Sequence, residues 1–274
     1  MKFILEYFDI NNTDPKFNAK LKYFAIAYEV DDTGKKVKNK QPIFLRKARN
    51  DEDGCEHIQL VPNMRFSPIP STGERDITQA NAQSGAGKSY LMDEYCQYFK
   101  ILHPNKKIHI FTTNDFKGDV SLTHQLYNPI PLKEFIENLY ETDDWTKGDM
   151  FKDSLLVFDD FQGGNDDKDF EKKVYHFITM IVENMRKKNV FLYLITHRAT
   201  NYRLTSSIIP ELQRYIVYPQ SQQVCSDRIL NHYLGLKKID VRRIVNEEDS
   251  RWVMVDCRRK CILTEHSVEV LNSM

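Results

Sequence analysis

The sequence predicts an α/β fold: a mostly parallel sheet with helices on both faces, preceded by a β-rich segment. Three observations carry that prediction. First, strand-length and helix-period runs alternate from about residue 74. Second, two of the strand-length runs, Ser154-Leu-Leu-Val-Phe158 and Val190-Phe-Leu-Tyr-Leu-Ile195, are apolar nearly throughout, as strands covered on both faces are. Third, a glycine loop, Ala82-Gln-Ser-Gly-Ala-Gly-Lys-Ser89, stands between a strand candidate and a helix candidate. The 274 residues, 41% of them hydrophobic, suffice for one large α/β domain with additions.

Residues 1–73 read as a β-rich N-terminal region. Lys22–Val30 is a strand candidate leading into the turn signal Asp31-Asp-Thr-Gly34, and Pro42–Leu45 and His57–Val61 suggest two more short strands. Prolines and a glycine in Ser67–Gly73 mark a boundary loop.

Residues 74–219 form the core. Asp76–Asn81 is a weakly apolar strand entering the glycine loop, and Ser89–Phe99 is a helix with Leu91, Tyr95 and Phe99 at helical spacing. Lys107–Thr112 is a strand, and Leu132–Tyr140 a helix with Phe135, Ile136 and Leu139 on one face. Between the two apolar strands, Phe170, Val174, Phe177, Ile178, Ile181, Val182 and Met185 keep the period of a long helix. Arg214–Tyr218 is the last core strand. Residues 220–274 hold two helix-like segments, Ser226–Tyr233 and Val241–Glu247. Two closing strands, near Trp252–Val255 and Cys261–Leu263, are expected to form an edge hairpin.

A formal net charge of +0 calls for no polyanionic partner on composition alone, so any basic surface is local. Five scattered cysteines read as reduced thiols of an intracellular protein. Cys257 and Cys261, near His266, make a lone Cys-x3-Cys without a second pair, which reads as two cysteines on late strands rather than a zinc site. No run of about eighteen apolar residues exists, and Glu6 and Asp9 interrupt any signal-peptide core. The expectation is a soluble chain, neither secreted nor membrane-bound.

The loop fits the P-loop formula, closing in Gly-Lys-Ser between strand and helix. Gly85 and Gly87 let backbone N–H groups of Gln83, Ser84, Gly85, Ala86 and Gly87 turn inward on phosphate oxygens. Lys88 reaches the β and γ phosphates, and Ser89 in the first helical turn ligates Mg²⁺. Tyr90 follows within the nucleotide-contacting turn. The usual first glycine is Ala82 here. Leu155-Leu-Val-Phe-Asp-Asp160 then has the form of a Walker B strand: Asp159 holds Mg²⁺ and Asp160 is placed to polarise the attacking water. Beyond the fourth strand, Ile195-Thr-His-Arg198 supplies a polar tip for the γ-phosphate or the water, with Thr196 and His197 as alternatives. Together these imply ATP and Mg²⁺ as cofactors. The strand Lys107–Thr112 between Walker A and B favours ATPase motors of the additional-strand (RecA/FtsK-like) P-loop type over small-molecule kinases.

Over about 75–270 the chain resembles the poxvirus-type genome-packaging ATPases of the FtsK–HerA superfamily, found in large DNA viruses and virophages. The carrying residues are Gln83–Ser89, Leu155–Asp160, the long helix ending in Asn184-Met-Arg-Lys-Lys-Asn189, Val190–Arg198, and Arg214-Tyr-Ile-Val-Tyr-Pro219. The resemblance implies a homo-oligomeric ring, pentamer or hexamer, that drives double-stranded DNA into a capsid. Capsid or portal proteins are then partners, and the host cytoplasm or viral assembly site is the location. It also implies an arginine reaching a neighbour's γ-phosphate. Arg186 stands at the family's arginine position, although its neighbours Met185 and Lys187 depart from the family's Gly-Arg-His pattern; Arg198 and Arg214 are further candidates. DNA contact is expected through phosphates, with Lys172, Lys173, Lys187, Lys188 and the Gly163-Gly164 loop as candidates. Alternatives are a ring helicase or DNA-segregation translocase, a P-loop kinase or nucleotide switch, and a particle-morphogenesis ATPase.

Overall fold

The computed structural model describes residues 2–7, 25–31, 33, 35–38, 43–45, 57–59, 65–68, 70, 75–113, 128–142, 151–159, 161, 168–197, 207–219, 221, 227–246, 250–258 and 261–270. Four short strands, β1 (Lys2–Tyr7), β2 (Ala25–Val30), β3 (Ile43–Leu45) and β5 (Arg65–Ser67), make a small sheet in the order β3-β2-β1-β5. The large sheet has ten strands. It contains β4 (His57–Gln59), β6 (Ile77–Asn81), β7 (Lys107–Thr112), β8 (Asn128–Pro131), β9 (Ser154–Asp159), β10 (Phe191–Thr196), β11 (Arg214–Val217), β12 (Val253–Asp256), β13 (Cys261–Thr264) and β14 (Ser267–Val270). Their order is β4-β14-β13-β12-β11-β6-β10-β9-β7-β8.

This sheet has two halves. From β11 to β8 every pairing is parallel. From β11 outward to β4 every pairing is antiparallel. Parallel neighbours need crossover connections, and helices α1 (Lys88–Leu102), α2 (Leu132–Thr142) and α3 (Lys168–Lys188) supply them. On one face α2, α3 and α4 (Lys238–Val245) bury Ile136, Val174, Ile178 and Ile244 against Leu156, Phe158, Leu192 and Leu194. On the other, α1 lays Leu91, Tyr95 and Phe99 on Leu155, Val157 and Tyr193, joined by Phe3, Ala27 and Phe66 of the small sheet.

The expected sequence of alternating elements is present, with β10 inserted between β6 and β9. The fold is that of an additional-strand P-loop NTPase, a mostly parallel sheet with helices on both faces and a separate small sheet. Several local expectations need correction. The closing strands are not a two-strand hairpin: β12, β13 and β14 run on as a meander, and β4 from the N-terminal region completes the edge. β14 is only Ser-Val-Glu-Val, too short to announce itself. The boundary loop read at Ser67–Gly73 loses its first residue, because Arg65–Ser67 pairs in parallel with β1. β8 is Asn-Pro-Ile-Pro, which no strand pattern announces, because proline cannot donate to a ladder; it lies at the sheet edge, where proline is tolerated. The segment Ile229–Tyr233 is π-type, closed by Leu234 N–H donating to Ile229 O at 2.9 Å.

The long helix α3 ends as its residues dictate. Asn189 takes a left-handed φ of 52°, and its amide donates to Asp153 Oδ1 at 2.7 Å. Asp153 N–H in turn donates to Lys188 O at 2.9 Å. The C-terminal end of α3 is thereby tied beside the start of β9, at the end of the strands opposite the tips that carry the P-loop.

Candidate nucleotide site

The C-terminal tips of β6, β10 and β9 lie side by side. Thr196 is in register with Asn81, and Thr112 of β7 with Asp159. The P-loop leaves β6 at Ala82 and re-enters helix at Lys88. Gly85 and Gly87 have φ of 79° and 93°. A Cβ at either position would meet nothing within 4 Å, so left-handed backbone, not lack of space, requires glycine there. Gly87 is also the N-cap of α1, with no side-chain cap on the helix N-terminus. Backbone N–H groups and the helix dipole there favour an anion.

Lys88 is only 6% exposed. Its ammonium donates to Ala82 O at 2.8 Å and Gln83 O at 2.7 Å, and lies 3.4 Å from His197 Nδ1. The lysine therefore bridges the first turn of the loop to the tip of β10. Ala82 N–H donates to Thr196 O at 3.2 Å, and Gln83 N–H to Ser221 Oγ at 2.7 Å. Loop, β10 and the segment after β11 are thus joined through the base of the loop.

The two alternatives at the tip of β10 separate. Thr196 is buried, and its hydroxyl accepts from Gln79 Nε2 at 3.2 Å and lies 3.1 Å from Asn81 Oδ1. It is a rung in a polar ladder across β6 and β10. His197 is partly exposed and faces the lysine. Asp159 is buried at the tip of β9. Strand alternation puts it on the side of Leu155 and Val157, which pack under α1. Ser89 is half-buried and Tyr90 is exposed, both in the first turn of α1. Gln83, Ser84 and Gly85 are exposed and Ala86 half-buried. The oxygen donors Ser89 and Asp159 suit Mg²⁺, a hard cation.

Asp160, Arg198 and the Gly163-Gly164 loop lie outside the described residues. Arg186 belongs to the last turn of α3, whose end sits beside the start of β9, at the opposite end of the strands from the P-loop. Arg214 as a reaching arginine is overturned. It is fully buried, its Nη1 3.0 Å from Asp76 Oδ2 and its Nε 3.1 Å from Asp256 Oδ2. Lys173 pairs with Asp169 at 3.4 Å, one helical turn before it; Lys172 and Lys187 are exposed. Cys261 is buried in β13, and burial with Asp256 nearby pushes the Cys257 thiol up to about 12. Among the described residues no cluster of three or more His, Cys, Asp or Glu could hold a metal. No described helix is long and apolar enough to cross a membrane.

Sequence reading missed Ser221, Gln79 and Asn81. Ser221 lies 138 residues from its partner Gln83 and belongs to no motif. The signal for the other two was available: polar residues at alternate positions of a central strand are expensive unless paired.

No family model matches the chain. Uncharacterized protein V3 of Sputnik virophage is 25% identical over 211 residues, covering 76% of this chain and 82% of that protein. Among solved structures, the genome packaging NTPase B204 from Sulfolobus turreted icosahedral virus 2, in complex with AMPPCP, is 14% identical. Its TM-score is 0.47, over 73% of this chain and 98% of its own. The pCW3 conjugation coupling protein TcpA is likewise 14% identical, with a TM-score of 0.44 over 66% of this chain and 57% of its own.

Proposed function

We propose that this chain is a Mg²⁺-dependent ATPase that translocates double-stranded DNA and packages a viral genome, working as a ring of subunits at the site of particle assembly. One observation carries the reading. β10 stands between the P-loop strand β6 and the acidic strand β9, and its tip residue His197 lies 3.4 Å from Lys88. A polar tip next to the phosphate lysine can report the γ-phosphate to the sheet, which a motor needs and a simple binding site does not.

The P-loop amides and Lys88 bind the triphosphate, while Ser89 and Asp159 hold Mg²⁺. The ion, when bound, neutralises charge on the phosphate oxygens. His197 is assigned the sensing position and Thr196 the support beneath it, because the threonine hydroxyl is taken up by Gln79 and Asn81. Asp160 is assigned to the attacking water. Arg186 is assigned to a neighbour's site. The end of α3 lies beside the start of β9, at the end of the strands opposite its own P-loop. Residues 74–219 carry this machinery, with 1–73 and 220–274 as flanking parts, and capsid or portal proteins are the docking partners.

Turnover with and without long double-stranded DNA, alongside mass in solution, tests the reading. A multi-subunit particle whose turnover rises with DNA is expected. A monomer indifferent to DNA overturns it, and strand displacement without blunt-duplex translocation indicates a helicase instead. Asp160→Asn is expected to lower turnover by about 100-fold or more while nucleotide still binds. Undiminished turnover removes Asp160 from its role.

A further inference from the structure

The phosphate site has a direction. Lys88 meets His197 on the β10 side, and Asp159 lies one strand further, so the γ-phosphate end points toward β9. The loop amides cradle the α and β phosphates, and the nucleoside therefore leaves toward the opposite side of β6. On that side stand β11 and β12.

A prepared surface lies there. Tyr90, immediately after Ser89, has 48% of its surface exposed. The Arg251 guanidinium, just before β12, sits 5.8 Å from the centre of its ring. Arg251 is held from behind: its Nε and Nη2 donate to Glu265 Oε1 at 3.1 and 2.8 Å, and its backbone N–H donates to Glu265 Oε2 at 2.9 Å. Glu265 is buried after β13 and anchored through its own N–H to Ser250 Oγ at 3.0 Å. The Arg251 side chain stays 60% exposed. Beside the pair, the buried Tyr218 hydroxyl finds no hydrogen-bond partner among the described residues, although it feels both Arg251 and Glu265.

We infer that Tyr90 and Arg251, braced by Glu265, form the stacking platform for the nucleobase of the bound triphosphate. Planar aromatic and guanidinium faces accept any purine, because every base has a π-face. Both Glu265 oxygens accept from Arg251, so the carboxylate braces the guanidinium plane. Stacking reads no hydrogen-bonding edge, so the platform itself is base-tolerant and GTP is expected to bind nearly as well as ATP. This rests on the nucleotide reading above but fails separately from it.

The test uses the full chain and two ligands sharing phosphates but not a base: ATP and inorganic tripolyphosphate. Arg251→Ala and Tyr90→Ala are each expected to weaken ATP about tenfold, with tripolyphosphate kept within about twofold. Tyr90→Phe should lose less than Tyr90→Ala, and Arg251→Lys should fall between wild type and Arg251→Ala. Equal losses for ATP and tripolyphosphate would mean that Arg251 binds phosphate, which overturns the platform; so would ATP affinity unchanged in both alanine variants. A wild-type preference for ATP over GTP above about 100-fold overturns the base tolerance, since that discrimination requires hydrogen-bond readout. If wild type binds neither ligand, the nucleotide reading itself has failed.

Discussion

Lys88 and Arg214 are both buried cations on the same sheet, yet they are held in different ways. Lys88 sits where the strands end and loops begin, and bonds two loop carbonyls and faces an imidazole. Arg214 sits inside the sheet between Asp76 at the root of β6 and its register partner Asp256 on β12, with Tyr95 of α1 donating to Asp76 at 3.4 Å. A cation held by loop atoms can be re-aimed by a ligand. One clasped between carboxylates on either side of its own strand cannot move without parting the strands. The contrast is between the tips of the parallel strands, where loops begin, and the interior of the sheet at the junction of its parallel and antiparallel parts.

Substitutions can break that contrast. Lys88→Ala is expected to lower ATP turnover by at least about 100-fold, measured by phosphate release, with a smaller shift in urea midpoint than any Arg214 variant. Arg214→Met leaves two carboxylates buried without their cation and should cost about 3–5 kcal/mol in urea unfolding. Full stability in Arg214→Met with lost turnover would reverse the two roles.

The tip of β10 sharpens the comparison on a smaller scale. Thr196→Val should cost about 1–2 kcal/mol of stability, since Gln79 Nε2 loses its acceptor. His197→Ala should lower turnover about tenfold or more and leave stability within about 0.5 kcal/mol. If both variants lose only stability, the sensing role of His197 is gone.

The smallest effect concerns pH. Burial pushes the Glu265 carboxyl up, but the hydrogen bonds and charge of Arg251 outweigh it and hold it below the ordinary glutamate range. A depressed folded value means that the contribution is fully present above the ordinary range and is lost as pH falls through the folded value. The stability gap between wild type and Glu265→Gln, from urea titrations at several pH values, should therefore narrow on acidification. A gap that widens refutes the pairing.

How legible these features were depended on the range of the interactions that make them. The P-loop was readable because its chemistry is local: two glycines with left-handed φ, a lysine and a serine within one turn of chain. Strands buried on both faces, such as β9 and β10, announced themselves by unbroken apolar runs. Short edge strands did not. β8 carries two prolines, β4 has three residues, and β14 has four. Their pairing is decided by neighbours far along the chain, as when Gln59 meets Ser267.

By itself the sequence determined the α/β alternation, the phosphate loop and the acidic strand end, because each follows from periodicity or from contiguous residues. Only the tertiary structure decided which polar residue at the tip of β10 faces Lys88, and that Arg214 is clasped inside the sheet and cannot reach a neighbour. It alone brought Arg251 and Glu265 beside Tyr90. Those outcomes depend on strand order and register, which place side chains from distant segments within a few ångströms. No local pattern encodes that distance.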